Sequence, residues 1–307
     1  MFLDNISQII IVVNNGGDKM KIAVVGLGLI GGSFCRSIKK NTCHVCLGID
    51  TDKNVVNKAL REGAIDKGIN PELLGEADLT IVCLHPQRTV DFLRENVGFF
   101  KKNSIVMDAC GIKGEVVRQA ACVLLEMGVY FIPAHPMAGT ENSGFDYSYA
   151  ELFTGASLIV TPSPEVPQDS LNIVKELSQA MGFGQFVIST PEEHDRIIAF
   201  TSQLAHIVSS CYIKSPTARY QAGFSAGSFK DMTRVAKLNE DMWTELFMMN
   251  RQNLMFEIES IIENLKSYDD VLRSVDKEGL RMLLRNGRLL KEESLRSQGR
   301  IAGERMV

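Results

Sequence analysis

The sequence predicts an α/β protein, with a doubly wound parallel sheet in its N-terminal part and an all-helical domain after it. Short apolar runs alternate with amphipathic helical stretches as far as Pro191, and a glycine-rich turn joins the first run to the first helix. Beyond Ile188 the strand signal almost vanishes.

Residues 1–19 precede the first convincing strand. The apolar run Ile9 to Val13 is too short to span a membrane and ends at Asn14-Asn15-Gly16-Gly17. It has no basic segment before it and no small-residue cleavage site after it, so 1–19 read as a dispensable extension or a misplaced start. From Lys21 the chain reads KIAVVGLGLIGGSFCRSIKK: an apolar strand, then Gly26-x-Gly28-x-x-Gly31, then a helix with Phe34, Cys35 and Ile38 turned inward. A second strand, Val45 to Ile49, ends in Asp50. This is the Rossmann-type arrangement for a dinucleotide. Gly26 permits the tight turn, Gly28 lets the backbone approach a pyrophosphate, and Gly31 lets helix pack on strand. The first helical turn, with Leu29 and Ile30, offers the cofactor N–H donors and a positive dipole end. Asp50 lies about twenty residues past the last glycine, where a carboxylate accepts hydrogen bonds from ribose hydroxyls. It would repel a 2′-phosphate, and no arginine adjoins Asp50 or Asp52, which favours NAD over NADP; Lys53 stands close by.

The alternation continues with strands at Leu79–Leu84 and Ser104–Asp108, helices at Val90–Val97 and Gly114–Met127, and further strands at Val129–Ile132, Ala156–Val160 and Gln185–Ile188. The strand ends Leu84-His85-Pro86 and Asp108-Ala109-Cys110-Gly111 are expected to line one crevice with Gly28, making Leu84 a cofactor contact and His85 a wall residue. The segment His135 to Gly144, HPMAGTENSG, follows a strand; Pro133 and Pro136 stiffen the chain around His135, and Ala138-Gly139 lets the backbone lie close to a ligand. On these residues alone His135 reads either as a reactive group at a strand end or as a turn histidine bonded to its own loop.

A domain boundary is expected near Thr190-Pro191, giving domains 20–190 and 191–307. Helical spacing over Glu192–Ser215 places Ile197, Phe200, Leu204, Ile207 and Cys211 inward, with His206, Ser202, Gln203 and Ser210 on the other face. Arg234 falls in a short element, and Asn239 reads as the N-cap of a helix running through Trp243, Leu246, Phe247 and Leu254 to about Leu265. Met242, Met248, Met249 and Met255 suit a core or a helix–helix interface. An apolar helical half of this size suggests a homodimer, a thick monomeric core being the alternative. Tyr268 to Arg296 reads as charged amphipathic helix.

With a net charge of −4 and scattered basic residues, nothing suggests a nucleic-acid or anionic-membrane partner; a small-molecule ligand is expected. Seven cysteines at irregular spacing point to reduced thiols and a cytoplasmic protein. Cys43-His44-Val45-Cys46 lacks a second ligand pair, so no metal is expected.

Taken together, GLGLIGGS at Gly26–Ser33, DACGIKG at Asp108–Gly114, HPMAGTENSG at His135–Gly144, EHDRIIAFTSQLAH at Glu193–His206 and FKDMTRVA at Phe229–Ala236 resemble the prephenate and arogenate dehydrogenases. The resemblance spans Met20 to about Leu265. It implies NAD-dependent oxidative decarboxylation of prephenate to 4-hydroxyphenylpyruvate in tyrosine biosynthesis, or the corresponding reaction of arogenate to tyrosine. It implies His135 as acceptor for the ring hydroxyl, Arg234 as the grip on a substrate carboxylate, His206 reaching the substrate's other polar end, and Glu141 at the pocket mouth. Three positions depart from the family's pattern: Gly111 where a serine is common, Ala205 where proline is common, and Gln203 in place of a second histidine, keeping hydrogen-bonding capacity toward the substrate. The Ala205 departure predicts a straighter helix. Neither a regulatory ligand domain nor a fused mutase is expected. Two rival readings are a β-hydroxyacid dehydrogenase, with Lys113, Lys214 or Lys230 as acid or base, and a non-catalytic NAD-sensing protein.

Overall fold

The computed structural model describes residues 19–303; the expected extension 1–19 lies, but for Lys19, outside the described residues. Eight strands form one sheet: β1 Lys21–Val25, β2 Val45–Ile49, β3 Lys67–Gly68, β4 Leu79–Val82, β5 Ile105–Asp108, β6 Tyr130–Pro136, β7 Ser157–Val160 and β8 Gln185–Ile188. Their order is β3-β2-β1-β4-β5-β6-β7-β8. The run from β3 to β6 is parallel, but β7 is antiparallel to β6, and β8 is parallel to β7. The reversal has a simple cause. Only a short turn of 3-10 helix, Phe145–Tyr147, lies between β6 and β7, so no helical crossover carries the chain back to the far end of the sheet.

Helices α1 Leu29–Asn41, α2 Lys53–Arg61, α3 Pro86–Glu95, α4 Gly114–Glu126 and α5 Gln168–Ala180 connect the strands, and successive β residues bury into opposite layers. Ile22 and Val24 pack with Phe34, Ile38, Phe153 and Phe183 on one side, Ala23 and Val25 with Val82, Val90 and Leu124 on the other. Phe34 and Phe153 lie with ring centroids 4.4 Å apart, and Phe153 stacks on Phe183 at 4.9 Å. All this apolar surface is the reason both faces of the sheet are dry.

The remaining helices are α6 Pro191–Ile198, α7 Ala205–Ile213, α8 Gly227–Thr233, α9 Glu240–Met249, α10 Arg251–Arg273 and α11 Lys277–Gly303. Two compact units result: the chain up to Arg251, and the chain from Gln252 onward. Thr190 caps α6 by accepting from Glu193 N, with Pro191 at the first helical position, and Asn239 caps α9 by accepting from Met242 N. Two helical expectations are corrected. The stretch expected to run from Asn239 to about Leu265 is broken at Asn250, which is buried between α9 and α10 with its side-chain amide bonded to Asp195 O and Gln203 Oε1. The stretch Glu192–Ser215 is not a straight α-helix: a π-helical turn at Ala199–Leu204 separates α6 from α7. The face expected to point inward is largely outside, with Ile197 43% and Phe200 61% exposed and Cys211 exposed, whereas His194, Asp195, Ile198, Ala199 and Gln203 are buried. The wider turn changes the helical phase, and the buried side is built on polar contacts that an apolar pattern does not register.

A Cβ placed on Gly31 would lie 1.8 Å from Gly26 O, whereas one on Gly28 would meet nothing within 4 Å. Gly31→Ala is therefore expected to cost at least about 1–3 kcal/mol of unfolding free energy, and Gly28→Ala less than about 1 kcal/mol. Urea denaturation of the two variants checks the ranking; equal midpoints would contradict the packing described.

Candidate active site

The glycine turn is held in shape by backbone contacts. Gly26 has φ +83°, Gly26 N donates to Ile49 O, and Leu27 N donates to Asp50 Oδ2 at 2.8 Å. Gly28 is the N-cap of α1 and has no side chain to satisfy the first-turn N–H groups, so these donors, with Leu29 and Ile30 partly buried around them, are open to an anion. The space a Gly28 Cβ would occupy is empty, as close approach of a pyrophosphate requires. Asp50 ends β2 and accepts from both Leu27 N and Asp52 N, fixing its carboxylate beside the turn. Leu84 leans over Gly26, its Cδ2 2.8 Å from the Cβ position there. His85 is exposed at the N-cap of α3, and Glu245 from α9 accepts from Gln87 N at that helix end.

His135 is not on a loop after its strand, as the residue pattern suggested. It lies within β6, opposite Ile159 of β7, because the antiparallel partner extends the ladder through Pro136. It remains at the edge of the sheet carrying the glycine turn. From β1 through β4 and β5 to β6 are three strand spacings, about 14 Å. An extended ligand laid along that edge reaches from the turn to His135.

Behind the ring is a buried polar network. His135 Nδ1 lies 2.9 Å from His194 Nε2, and His194 Nδ1 lies 2.7 Å from Asp195 Oδ1. Asp195 also accepts from Lys113 N and Gly114 N, both at 2.8 Å, and so caps α4, whose own N-cap residue provides no side-chain bond. Lys113 is wholly buried; its Nζ pairs with Asp108 and donates to Ala134 O at 2.6 Å. Asp108 in turn accepts from Cys110 N and Ala134 N. Burial holds His135 well below the usual imidazole range, with the neighbouring His194 and Lys113 acting the same way, so the ring is neutral near pH 7. Its Nε2 faces Gly111, where an added Cβ would sit 3.7 Å from Nε2 and 3.6 Å from Leu246 of α9. The thiols of Cys83 and Cys110, pushed up by burial, stay protonated and supply no nucleophile.

A second cluster stands on α7 and α9. His206 Nδ1 donates to Val235 O at 3.1 Å and its ring lies 3.9 Å from that of Trp243. Burial lowers the His206 pKa; the Val235 carbonyl opposes that and Arg234 adds to it. Arg234, in the short 3-10 turn Arg234–Ala236, is exposed and engaged in no salt bridge among the described residues. Helix α9 joins the two clusters, since Trp243 touches His206 while Leu246 approaches Gly111. Two expected contacts are placed differently. Gln203 is 1% exposed, its amide taken up by Leu246 O and Asn250 Nδ2, so it braces the π turn against the end of α9 and has little left to offer a substrate. Glu141 is exposed on the loop after β6 and bridges to no described residue. The lysine rivals fare worse: Lys113 is locked in its ion pair, and Lys214 and Lys230 are exposed. Of the polar residues behind His135, His194, Asp195 and Asn250 escaped sequence reasoning; the signal for the first two was their adjacency within EHDRIIAFTSQLAH.

Known proteins resemble this chain along most of its length. A family model described as prephenate dehydrogenase, nucleotide-binding domain, matches residues 34–188, and one described as prephenate dehydrogenase, dimerization domain, matches residues 190–286. The chain is 29% identical over 273 residues to a cyclohexadienyl dehydrogenase of Zymomonas mobilis, covering 84% of this chain and 90% of the relative. It is 29% identical over 285 residues to a prephenate dehydrogenase of Lactococcus lactis, covering 89% and 77%. A crystal structure of prephenate dehydrogenase from A. aeolicus in complex with hydroxyphenyl propionate and NAD+ superposes with a TM-score of 0.79 at 25% identity, over 91% of this chain and 99% of that one.

The neutral His135 has a consequence for stability. Its folded pKa lies well below 6.5, so below about pH 6.5 the unfolded chain binds the extra proton and the folded one does not. Stability is therefore complete above that pH and falls as pH drops through it toward the folded value. Thermal midpoints measured between about pH 7.5 and 5.5 should decline, and the decline should be shallower in His135→Asn. His44 and His206, shifted in the same direction, supply the slope that remains. Parallel slopes in the two proteins would contradict the assignment.

Proposed function

The chain belongs to the prephenate dehydrogenase family, and we propose that it performs the NAD-dependent oxidative decarboxylation of prephenate to 4-hydroxyphenylpyruvate. The main support is His135: a neutral ring on the glycine-turn edge of the sheet, anchored at Nδ1 and open at Nε2. The residues of the turn fit the cofactor. Gly26, Gly28 and Gly31 with the first turn of α1, including Leu29 and Ile30, would cradle the pyrophosphate; Asp50 would take the adenine ribose and Leu84 the crevice wall. NAD bound there supplies the hydride acceptor.

His135 Nε2 accepts the ring-hydroxyl proton as the hydride leaves the same carbon, so that a C=O bond forms. The ring then loses carbon dioxide, the electron pair of the broken C–C bond completes the aromatic ring, and the proton held at Nε2 returns to the phenolate oxygen. Arg234, exposed and in no salt bridge among the described residues, grips a substrate carboxylate through two oxygens. His206 meets the substrate's side chain, and Glu141 orders the mouth of the pocket. Arogenate is the second reading. Because His206 Nδ1 donates to Val235 O, its neutral ring offers only an acceptor at Nε2, which suits arogenate's ammonium. A purely NAD-sensing role would leave the network behind His135 without a use.

The helical half, from about residue 191 on, supplies the substrate grip and a homodimer interface. Support for the dimer is the apolar side chains left open within each unit, Phe200 at 61% and Phe224 at 92% in the first, Phe256 at 67% and Leu265 at 62% in the second. Met248 at 62% and Met255 at 48% are exposed in their own units, which suits an interface better than a core. No helix among the described residues is long and apolar enough to cross a membrane, and seven unpaired thiols suit the cytoplasm.

Incubation with NAD and prephenate or arogenate, followed by the near-ultraviolet absorbance of reduced nicotinamide, should show turnover; none with either substrate would sink the proposal. His135→Asn should lower kcat by about a hundredfold or more with little change in KM, and Arg234→Gln should mainly raise the KM for the substrate. The reverse pattern would exchange the roles assigned. Light scattering on the purified protein should give twice the chain mass, and a monomer at micromolar concentration would overturn the dimer.

A further inference from the structure

We infer that His194 and Asp195 are positioning residues that hold His135 in a single tautomer, protonated at Nδ1, with the Nε2 lone pair turned to the crevice. This rests on His135 being the proton acceptor proposed above. The carboxylate of Asp195 only accepts. It takes N–H groups from Lys113 and Gly114 at 2.8 Å, so the contact at 2.7 Å to His194 requires an N–H at His194 Nδ1. In an uncharged His194 the other ring nitrogen, Nε2, then carries no proton and accepts. The facing atom 2.9 Å away, His135 Nδ1, is consequently the donor, which leaves His135 Nε2 as the acceptor.

An extra proton on the pair would reverse this order and turn His135 Nε2 into a donor. The surroundings oppose it at His135, whose charged form burial disfavours, with the Lys113 ammonium held in the same network beside Asp108. The supports are arranged to hold position as well as protonation. Lys113 Nζ donates to Ala134 O, the carbonyl immediately before His135, and so fixes the main chain while His194 fixes the ring. The two rings meet edge to face at 68°, which excludes a loosely stacked pair. A Cβ on Gly114 would lie 2.9 Å from Asp195 Oδ2, so glycine at that position is what admits the carboxylate. On the crevice side, Gly111 contributes no side chain that could hold Nε2, and the orientation of the ring depends on the Nδ1 side.

Two measurements test this. Imidazole 15N–1H correlation spectra of histidine-labelled protein, with His135 assigned from the signal lost in His135→Asn, should show His135 protonated at Nδ1 in the unaltered enzyme. Protonation at Nε2 would overturn the inference, whether or not prephenate is the substrate. In turnover assays, His194→Leu should lower kcat by at least about tenfold, with KM values within about twofold and the His135 tautomer no longer fixed. His194→Gln, whose amide can donate to Asp195 and accept from His135, should recover kcat to within about threefold of the unaltered enzyme. A folded His194→Leu enzyme with full kcat, or one changed only in KM, would refute the positioning role. If that variant fails to fold, the spectrum of the unaltered enzyme still decides. Absence of turnover with both prephenate and arogenate would defeat the proposed function and leave the tautomer result standing.

Discussion

The carboxylate of Asp195, seated on the N-terminus of α4, is the contact on which the candidate site depends. It receives two backbone N–H groups from Lys113 and Gly114 and one ring N–H from His194. Hydrogen bonds to a charged acceptor contribute about 1.5–3 kcal/mol each, and the positive end of the α4 dipole adds to them. A buried carboxylate without such partners would be strongly unfavourable, so the three donors and the carboxylate specify one another. Because Asp195 comes from α6, the contact fixes where the first helix after the sheet begins to pack. Because His194 precedes Asp195 in the chain, the same contact sets the ring that touches His135.

A second buried charge pair, Asp108 with Lys113, lies on the other side of the same loop. Replacing such a pair by apolar side chains is often no loss in stability, so its presence asks for another explanation. Here the explanation is geometric. Asp108 ends β5, and Lys113 directly precedes α4; their contact, with bonds from Cys110 N and Ala134 N to Asp108, draws the loop between them back over β6. The loop therefore runs between two carboxylates, Asp108 inside and Asp195 above. That confinement places Gly111 against the open edge of His135 and keeps Lys113 from being an acid or base in the crevice.

What could be read from the sequence follows the range of the interactions that produce it. The dinucleotide-binding half was legible because its determinants are local: glycines with required conformations, short apolar strands, and helices whose inward residues recur within a few positions. Strands β1, β2, β5 and β8 lie within a residue of where their apolar runs place them. The extension of β6 through His135 was not legible, since it depends on an antiparallel partner some twenty residues later and on the lack of a crossover helix. The orientation of α6 misled for a physical reason. Its outer face carries Ile197 beside Glu192, Glu193 and Arg196, and its inner face carries a histidine, an aspartate and, within the π turn, a glutamine. Apolar spacing alone therefore puts Ile197 and Phe200 inside, where the structure has His194 and Asp195. Nothing local marks His194 and Asp195 as interior, because the partners that satisfy them are at 113, 114 and 135.

A histidine held neutral by burial is a weak base, which at first sight is the wrong property for a proton acceptor. Ordinary Brønsted reasoning would put the ideal acceptor nearer neutrality. The chemistry of this substrate removes the conflict. As an alcohol loses hydride, its oxygen takes on the character of a protonated ketone, which is far more acidic than an imidazolium, so a weak acceptor is sufficient once hydride transfer has begun. Before that point a stronger base would have nothing to remove. With NAD held at the glycine turn, its oxidised nicotinamide would be cationic, and a neutral imidazole in the same crevice would add no like-charge repulsion. After decarboxylation the product is a phenolate, a much stronger base than imidazole. In the proposed cycle the enclosure that disfavours the charged form of His135 would drive the proton back to the product and leave the ring neutral again.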